Sequence, residues 1–168
     1  MIHRLLLISA VCTALLVAAE PPQARKNSTP EDRAKALEIA RTLELDPLGK
    51  QSKEQRNWMV HWLIEVPDIN VKVCGNLLGP LLGSTKNYAS EIFTQMIPAS
   101  AAFIISNPEK AQDNASVYAA ALEGALRAYE SILKVKPKAK WPYLDGLLVK
   151  RSKGELPAYV REVSAKCK

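Results

Sequence analysis

The run from about Asp113 to Lys136 constrains the fold more than any other part of the chain. Its apolar residues recur at the spacing of an α-helix and form one broad face, which comprises Val117, Ala120, Ala121, Leu122, Ala125, Leu126, Tyr129, Ile132 and Leu133. A helix with so wide an apolar face must bury it against other elements. Gly124 lies inside the run, where glycine costs about 1 kcal/mol relative to alanine. We therefore expect another helix to pass close to Gly124.

Similar patterns predict helices along most of the remaining chain. Thr29 is a typical N-cap and Pro30 a typical first helical residue, so a helix is expected to begin there. The other predicted helical segments are Ser52–Val66, Ile69–Leu78, a segment from Asn87 that Pro98 kinks or splits, Ala99–Ser106, Trp141–Lys150 and Leu156–Lys166. No run alternates with period two, so no strand is predicted. The sequence thus predicts an all-α fold, a single compact bundle of about six or seven helices.

The first nineteen residues are typical of a secretory signal peptide. A positive start, Met1–Arg4, precedes the uncharged run Leu5–Ala19, which ends in small residues. This run is shorter than the roughly 20 residues that a membrane-spanning helix needs. We predict a signal peptide over residues 1–19, cleaved at Ala19 or nearby, a flexible lead-in over 20–29 and a helical domain over 30–168. The mature protein is expected in the periplasm or outside the cell, with no transmembrane anchor.

The cysteines predict one disulfide. Cys12 would leave with the signal peptide, so Cys74 and Cys167 would remain in an oxidising compartment. Two buried free thiols are an alternative. A partial metal site is a weaker one, because the mature chain would keep a single histidine, His61, and no clustered ligands. A Cys74–Cys167 bond would close a long loop and stabilise the fold by about 4 to 5 kcal/mol in the chain-entropy treatment.

Charge is concentrated near the C-terminus. Residues 133–168 carry ten Lys or Arg and three Asp or Glu, a balance of +7, whereas residues 20–132 carry twelve and fourteen, a balance of −2. Such a region attracts acidic proteins, polyanionic glycans or lipid headgroups; the alternative is a solvated face with lysines near helix C-termini. Aromatic and arginine side chains concentrate binding energy at interfaces. The candidate interaction surface is therefore Lys138, Lys140, Trp141, Tyr143, Lys150 and Arg151.

Signs of catalysis are weak. The chain lacks a glycine-rich phosphate-binding loop, and His61 is the one imidazole base expected in the mature protein. Helical spacing places His61 on one side with Glu65 and two tryptophans, which gives a candidate pocket or acid/base pair of Trp58, His61, Trp62 and Glu65. The alternative is a surface hydrogen bond beside two core tryptophans. No catalytic residue, metal or cofactor is predicted, and the sequence leans away from an enzyme.

These observations favour an exported helical protein that binds a protein partner as an adaptor, an inhibitor or an immunity-type protein. An acidic protein is one candidate partner. Nucleic acid is not expected as a partner, since a secreted protein seldom meets it. A small-ligand or lipid carrier is one alternative, because helices around an aliphatic core can enclose a pocket. A hydrolase that uses His61 and Glu65 is the other.

Overall fold

The computed structural model describes residues 25–167, so the predicted signal peptide and the first part of the lead-in lie outside the described residues. Over residues 25–167 the chain forms seven α-helices and no strand, which confirms the predicted all-α fold. The helices are α1 (Pro30–Leu45), α2 (Ser52–Glu65), α3 (Ala89–Thr94), α4 (Met96–Ser106), α5 (Asn114–Val135), α6 (Pro142–Ser152) and α7 (Leu156–Ser164). Two 3₁₀ segments, Gly75–Leu81 and Pro108–Lys110, complete the regular structure. No helix in this part of the chain is long and apolar enough to cross a bilayer.

The long helix α5 is the centre of the domain. It contacts α1, α3, α4, α6 and α7. As predicted, Gly124 lies where another helix passes closely: a Cβ atom at this position would overlap the Cβ of Ala99 in α4. The absence of a side chain at Gly124 is what lets α4 and α5 approach each other here.

The buried residues form two clusters that share α5. The larger cluster joins most of α5 to the segment Gly75–Leu81 and to α3, α6 and α7, and its largest fully buried side chain is Tyr129. The smaller cluster joins Val117 at the start of α5 to α1, α2 and α4. Residues of α2 also line the surface clefts considered below.

The prediction of a helix over Ile69–Leu78 is wrong. Residues 69–74 have no regular structure, and only from Gly75 does the chain form a 3₁₀ segment. The Asp68 side chain is of a type that could cap a helix beginning at Ile69. That carboxylate instead accepts hydrogen bonds from Ser28 and Arg33. Gly79, which has a φ of +52°, then kinks the 3₁₀ segment.

The predicted split near Pro98 occurs three residues earlier. α3 ends at Thr94 and α4 begins at Met96, with Gln95 between them. Pro98 therefore lies in the first turn of α4, where backbone N–H groups have no partner within the helix and a proline is tolerated. The helix that was expected to resume at Ala99 thus already includes Pro98.

The predicted disulfide is present. Cys74 and Cys167 are bonded, with their Cα atoms 5.7 Å apart and a sequence separation of 93. Cys74 is buried just before the 3₁₀ segment, and Cys167 follows α7. The bond ties the end of the chain to the irregular segment that the helix prediction missed.

Candidate functional site

The structure divides the six predicted interaction residues into two groups at opposite ends of α6. Lys138, Lys140, Trp141 and Tyr143 lie before or at the start of this helix, and Lys150 and Arg151 lie in its last turn. At 1.5 Å per residue, about 13 Å of helix separates Trp141 from Lys150. The residues therefore form two patches.

Arg151, in the second patch, is engaged within the molecule. Its guanidinium forms ion pairs with Glu130 and Glu123 on α5. The hydrogen bond to Glu130 is the main cause of the raised pKa of Arg151. Lys150 is exposed beside it. The second patch thus offers a partner less free positive charge than the sequence indicates.

Trp141, in the first patch, holds two distant segments together. Its indole Nε1–H donates to the backbone oxygen of Asn87 at 3.1 Å, and the Asn87 side chain donates to the backbone oxygen of Lys140 at 3.1 Å. The Trp141 backbone N–H donates to the hydroxyl of Tyr129 at 2.8 Å. Burial is the main cause that raises the pKa of Tyr129 to about 12, so this hydroxyl stays protonated at neutral pH.

Tyr143 is also part of the packing. Its hydroxyl and that of Tyr159 are 2.7 Å apart, and the Tyr159 hydroxyl lies 2.7 Å from the backbone oxygen of Leu77. The Tyr143 ring occupies the space that a side chain at Gly79 would need. Substituting Trp141 or Tyr143 would therefore disturb the fold as well as the surface.

Beside the first patch lies a hollow that we call the basic hollow, and Lys138 is the one predicted surface residue in its lining. The hollow has a volume of about 350 Å³ and is lined by Asn87, Tyr88, Val135, Lys136, Pro137, Lys138 and Ala139. Val135 is 64% exposed although it is a large apolar residue. The sequence predictions did not include the other six lining residues, which are Asn87, Tyr88, Val135, Lys136, Pro137 and Ala139. The apolar Val135 next to Lys136-Pro137-Lys138 was a signal in the sequence, but residues 87–88 meet this segment only through the tertiary fold.

The wall of the basic hollow that Asn87 and Tyr88 provide has an unusual backbone. Both residues have positive φ, 47° and 60° respectively. Asparagine tolerates this region, whereas a tyrosine there is strained by about 1 to 3 kcal/mol. The hydrogen bonds between Asn87 and the segment Lys140–Trp141 help to hold the turn in place.

The structure brings the four residues of the predicted aromatic pocket into one cleft, which we call the tryptophan cleft. Trp58 and Trp62 stack with ring centroids 5.5 Å apart, and the Lys35 ammonium lies 4.2 Å from the centre of the Trp58 ring. His61 and Glu65 are exposed on its wall, and the cleft has a volume of about 720 Å³. Trp62 is 5% exposed, and its indole N–H has no hydrogen-bond partner among the described residues.

The cleft does not show the arrangement that acid/base catalysis needs. A catalytic histidine is oriented by a second group. Within residues 25–167, no side-chain hydrogen bond is made by His61 or by Glu65. The Trp58 ring stacks on Trp62 and also contacts the Lys35 ammonium. The tryptophan cleft therefore gives no support to the hydrolase alternative.

The described residues also contain no group of three or more His, Cys, Asp or Glu that could hold a metal ion. No protein-family model matches the chain, and no curated protein or solved structure matches it significantly. Function must therefore be argued from the surface itself.

Proposed function

We propose that this protein is exported and binds an acidic segment of a protein partner in the basic hollow, as an adaptor, an inhibitor or an immunity-type protein. The observation that carries the proposal is an apolar hollow next to exposed lysines that have no carboxylate partner in residues 25–167.

The apolar part supplies an anchor point. Val135 ends α5 with most of its side chain in solvent, and Tyr88, Pro137 and Ala139 line the hollow beside it. An apolar side chain of a partner would remove this surface from water, at about 25 cal/mol per Å² buried. A hollow of this size accommodates one such side chain with its neighbours.

The charged part supplies selectivity. Lys136, Lys138 and Lys140 are exposed, and none of them forms an ion pair within the described residues. Arg127 and Arg151, by contrast, pair with glutamates of the molecule itself. A cluster of surface lysines without ion-pair partners attracts an acidic partner and speeds its association.

The hollow is formed in advance by the fold. The turn at Asn87 and Tyr88 is fastened to Lys140 and Trp141 by two hydrogen bonds of 3.1 Å. Binding at a fixed site requires less ordering of side chains and loops than binding at a mobile one. This supports recognition of a partner by a rigid surface.

Export is supported by two features. The leader over residues 1–19 has the layout of a signal peptide. The Cys74–Cys167 bond is compatible with an oxidising compartment such as the periplasm or the cell exterior.

The proposal is tested with a library of displayed random peptides panned against residues 20–168 with the disulfide intact. We expect enrichment of peptides in which an apolar residue is flanked by Asp or Glu. Affinities measured by fluorescence anisotropy should fall at least about tenfold in the double variant Lys136→Glu/Lys138→Glu, which corresponds to about 1.4 kcal/mol. Higher salt should weaken binding to the unchanged protein, because screening acts on exposed charges.

The matched control is Lys150→Glu/Lys153→Glu, which changes the net charge equally at the far end of α6. Its affinity for the enriched peptides should stay within about threefold of that of the unchanged protein. Equal losses in the two double variants would mean that only net charge matters. Enriched peptides without acidic residues, or no enrichment, would also contradict the proposal.

A further inference from the structure

The outer face of α2 carries an apolar groove that is separate from the basic hollow. Val60 and Ile64 lie one helical turn apart on this face and are 40% and 62% exposed. Two adjoining hollows of about 400 and 380 Å³ run along it, and both are lined by Val60 and Ile97. Because the two hollows share these residues, we treat them together as the α2 groove. Its walls are mainly aliphatic at the Ile64 end, where Leu63, Val71 and Val73 contribute. Arg25 is the one charged residue in the lining there, and its guanidinium donates to the Ile64 backbone oxygen at 3.2 Å.

The other end of the α2 groove holds a half-buried cation. Arg56 donates a hydrogen bond from its guanidinium to the backbone oxygen of Pro47 at 3.1 Å. Burial is the main cause that lowers the pKa of Arg56, and the charge of Glu91 opposes this effect. Glu91 is not within ion-pair distance of Arg56. A guanidinium removed from water without a carboxylate partner favours an anion next to it.

The net charge at this end is positive. Lys53 and Arg56 line the hollow together with Glu91, which leaves one positive charge in excess. From Lys53 to Ile64 the axis of α2 covers about 16 Å at 1.5 Å per residue. The groove therefore combines a cationic end with a long aliphatic floor.

We infer that the α2 groove binds a single-chain anionic amphiphile, such as a long-chain carboxylate. The head group would lie at Arg56 and Lys53, and the acyl chain would run over Val60 and Ile97 towards Ile64. The two volumes are in the range of small-ligand sites. This inference does not depend on the proposed partner of the basic hollow, because none of the residues that line that hollow lines the α2 groove.

The test uses isothermal titration calorimetry on residues 20–168 with three probes of equal chain length, kept below their micelle concentrations. They are dodecanoate, dodecanol and dodecyltrimethylammonium. We expect dodecanoate to bind at least about tenfold more tightly than the other two. Arg56→Gln should remove most of this preference. Lys53→Gln, at an exposed position, should reduce it several-fold even if Arg56→Gln proves unstable.

Two valine variants separate groove binding from general apolar adsorption. Val60→Asp should abolish dodecanoate binding, whereas Val149→Asp, at a valine on α6 that is 52% exposed, should leave it within about twofold. Equal binding of the three head groups, or equal effects of the two valine variants, would overturn the inference. Dimers in sedimentation velocity that Val60→Asp dissociates would overturn it as well, since a second copy would then occupy the groove.

Discussion

At the scale of single residues, Asp68 shows how one side chain redirects a segment. Its carboxylate accepts hydrogen bonds from the Ser28 backbone N–H at 2.8 Å, from the Ser28 hydroxyl at 2.7 Å and from Arg33 at 2.8 Å. These bonds tie the end of the predicted lead-in to the segment after α2. Asp68 precedes the segment predicted as a helix and is of a type that caps helices, but no local pattern could show that residues some 40 positions away would bond to its oxygens.

The protonation of Asp68 leads to the first prediction. Burial alone would raise its pKa, but the bonds from Ser28 and Arg33 outweigh burial and lower the pKa to about 2. The pKa of Asp68 in the folded protein thus lies below its pKa of about 4 in the unfolded chain. Ionised Asp68 therefore stabilises the fold fully above pH 4. With solvent screening of this partly exposed group taken into account, the contribution is about 1 to 2 kcal/mol, and it is lost as the pH falls through 2.

Urea unfolding between pH 7 and pH 2 measures this effect. Asp68→Asn should be less stable than the unchanged protein at pH 7, and the difference should disappear near pH 2. The control Glu38→Gln, at an exposed position of α1, should show little difference at any pH. A difference for Asp68→Asn that does not change with pH would contradict the assigned role.

At the scale of elements, the contact between α4 and α5 depends on two small residues. A Cβ atom at Gly124 would overlap the Cβ of Ala99 and would lie 3.0 Å from the Glu44 carboxylate. Gly146 in α6 is also helical, but its missing Cβ would meet open space. Alanine at position 146 therefore changes only the helix propensity, whereas alanine at position 124 also creates a steric overlap with α4.

The second prediction uses this pair. Gly146→Ala should stabilise the protein by about 0.5 to 1 kcal/mol, since alanine is the better helix former. Gly124→Ala should destabilise it by about 1 to 3 kcal/mol, the usual range for overpacking. Thermal unfolding of both variants checks the opposite signs. Stabilisation by Gly124→Ala would mean that α4 and α5 are not in close contact.

The third prediction concerns the turn that forms one wall of the basic hollow. Asn87 adopts a φ of 47°, and its side chain bonds to the backbone oxygen of Lys140. Asn87→Ala loses this bond and is disfavoured at positive φ, so it should cost about 1 to 2 kcal/mol. Asn87→Gly loses the bond alone and should cost less. Equal urea midpoints for the two variants would contradict strain at this position.

At the scale of the whole molecule, the sequence predicted the fold class, the long helix α5 and the disulfide. These rest on signals that are local or simple to count, namely an apolar face along Asp113–Lys136 and two remaining cysteines. The basic hollow was predicted only in part. Of its lining residues, only Lys138 had been selected from charge, whereas Tyr88 and Val135 meet only because α3 and the end of α5 pack in one core.

The disulfide gives the fourth prediction. In the chain-entropy treatment, a bond between residues 93 positions apart stabilises the fold by about 4 to 5 kcal/mol. Reduction with dithiothreitol should therefore lower the urea midpoint strongly, and Cys74→Ser/Cys167→Ser should behave like the reduced protein. The double variant should not respond to dithiothreitol. An oxidised protein no more stable than the double variant would contradict this role.

The central claim is that the basic hollow recognises an acidic partner. Its most direct test is an NMR titration, in which an enriched acidic peptide is added to ¹⁵N-labelled residues 20–168. The account predicts that the largest shifts cluster at Tyr88, Val135, Lys136 and Lys138, and that Lys136→Glu/Lys138→Glu removes them. Largest shifts along α2, in the tryptophan cleft, or at Lys150 and Arg151 would contradict it.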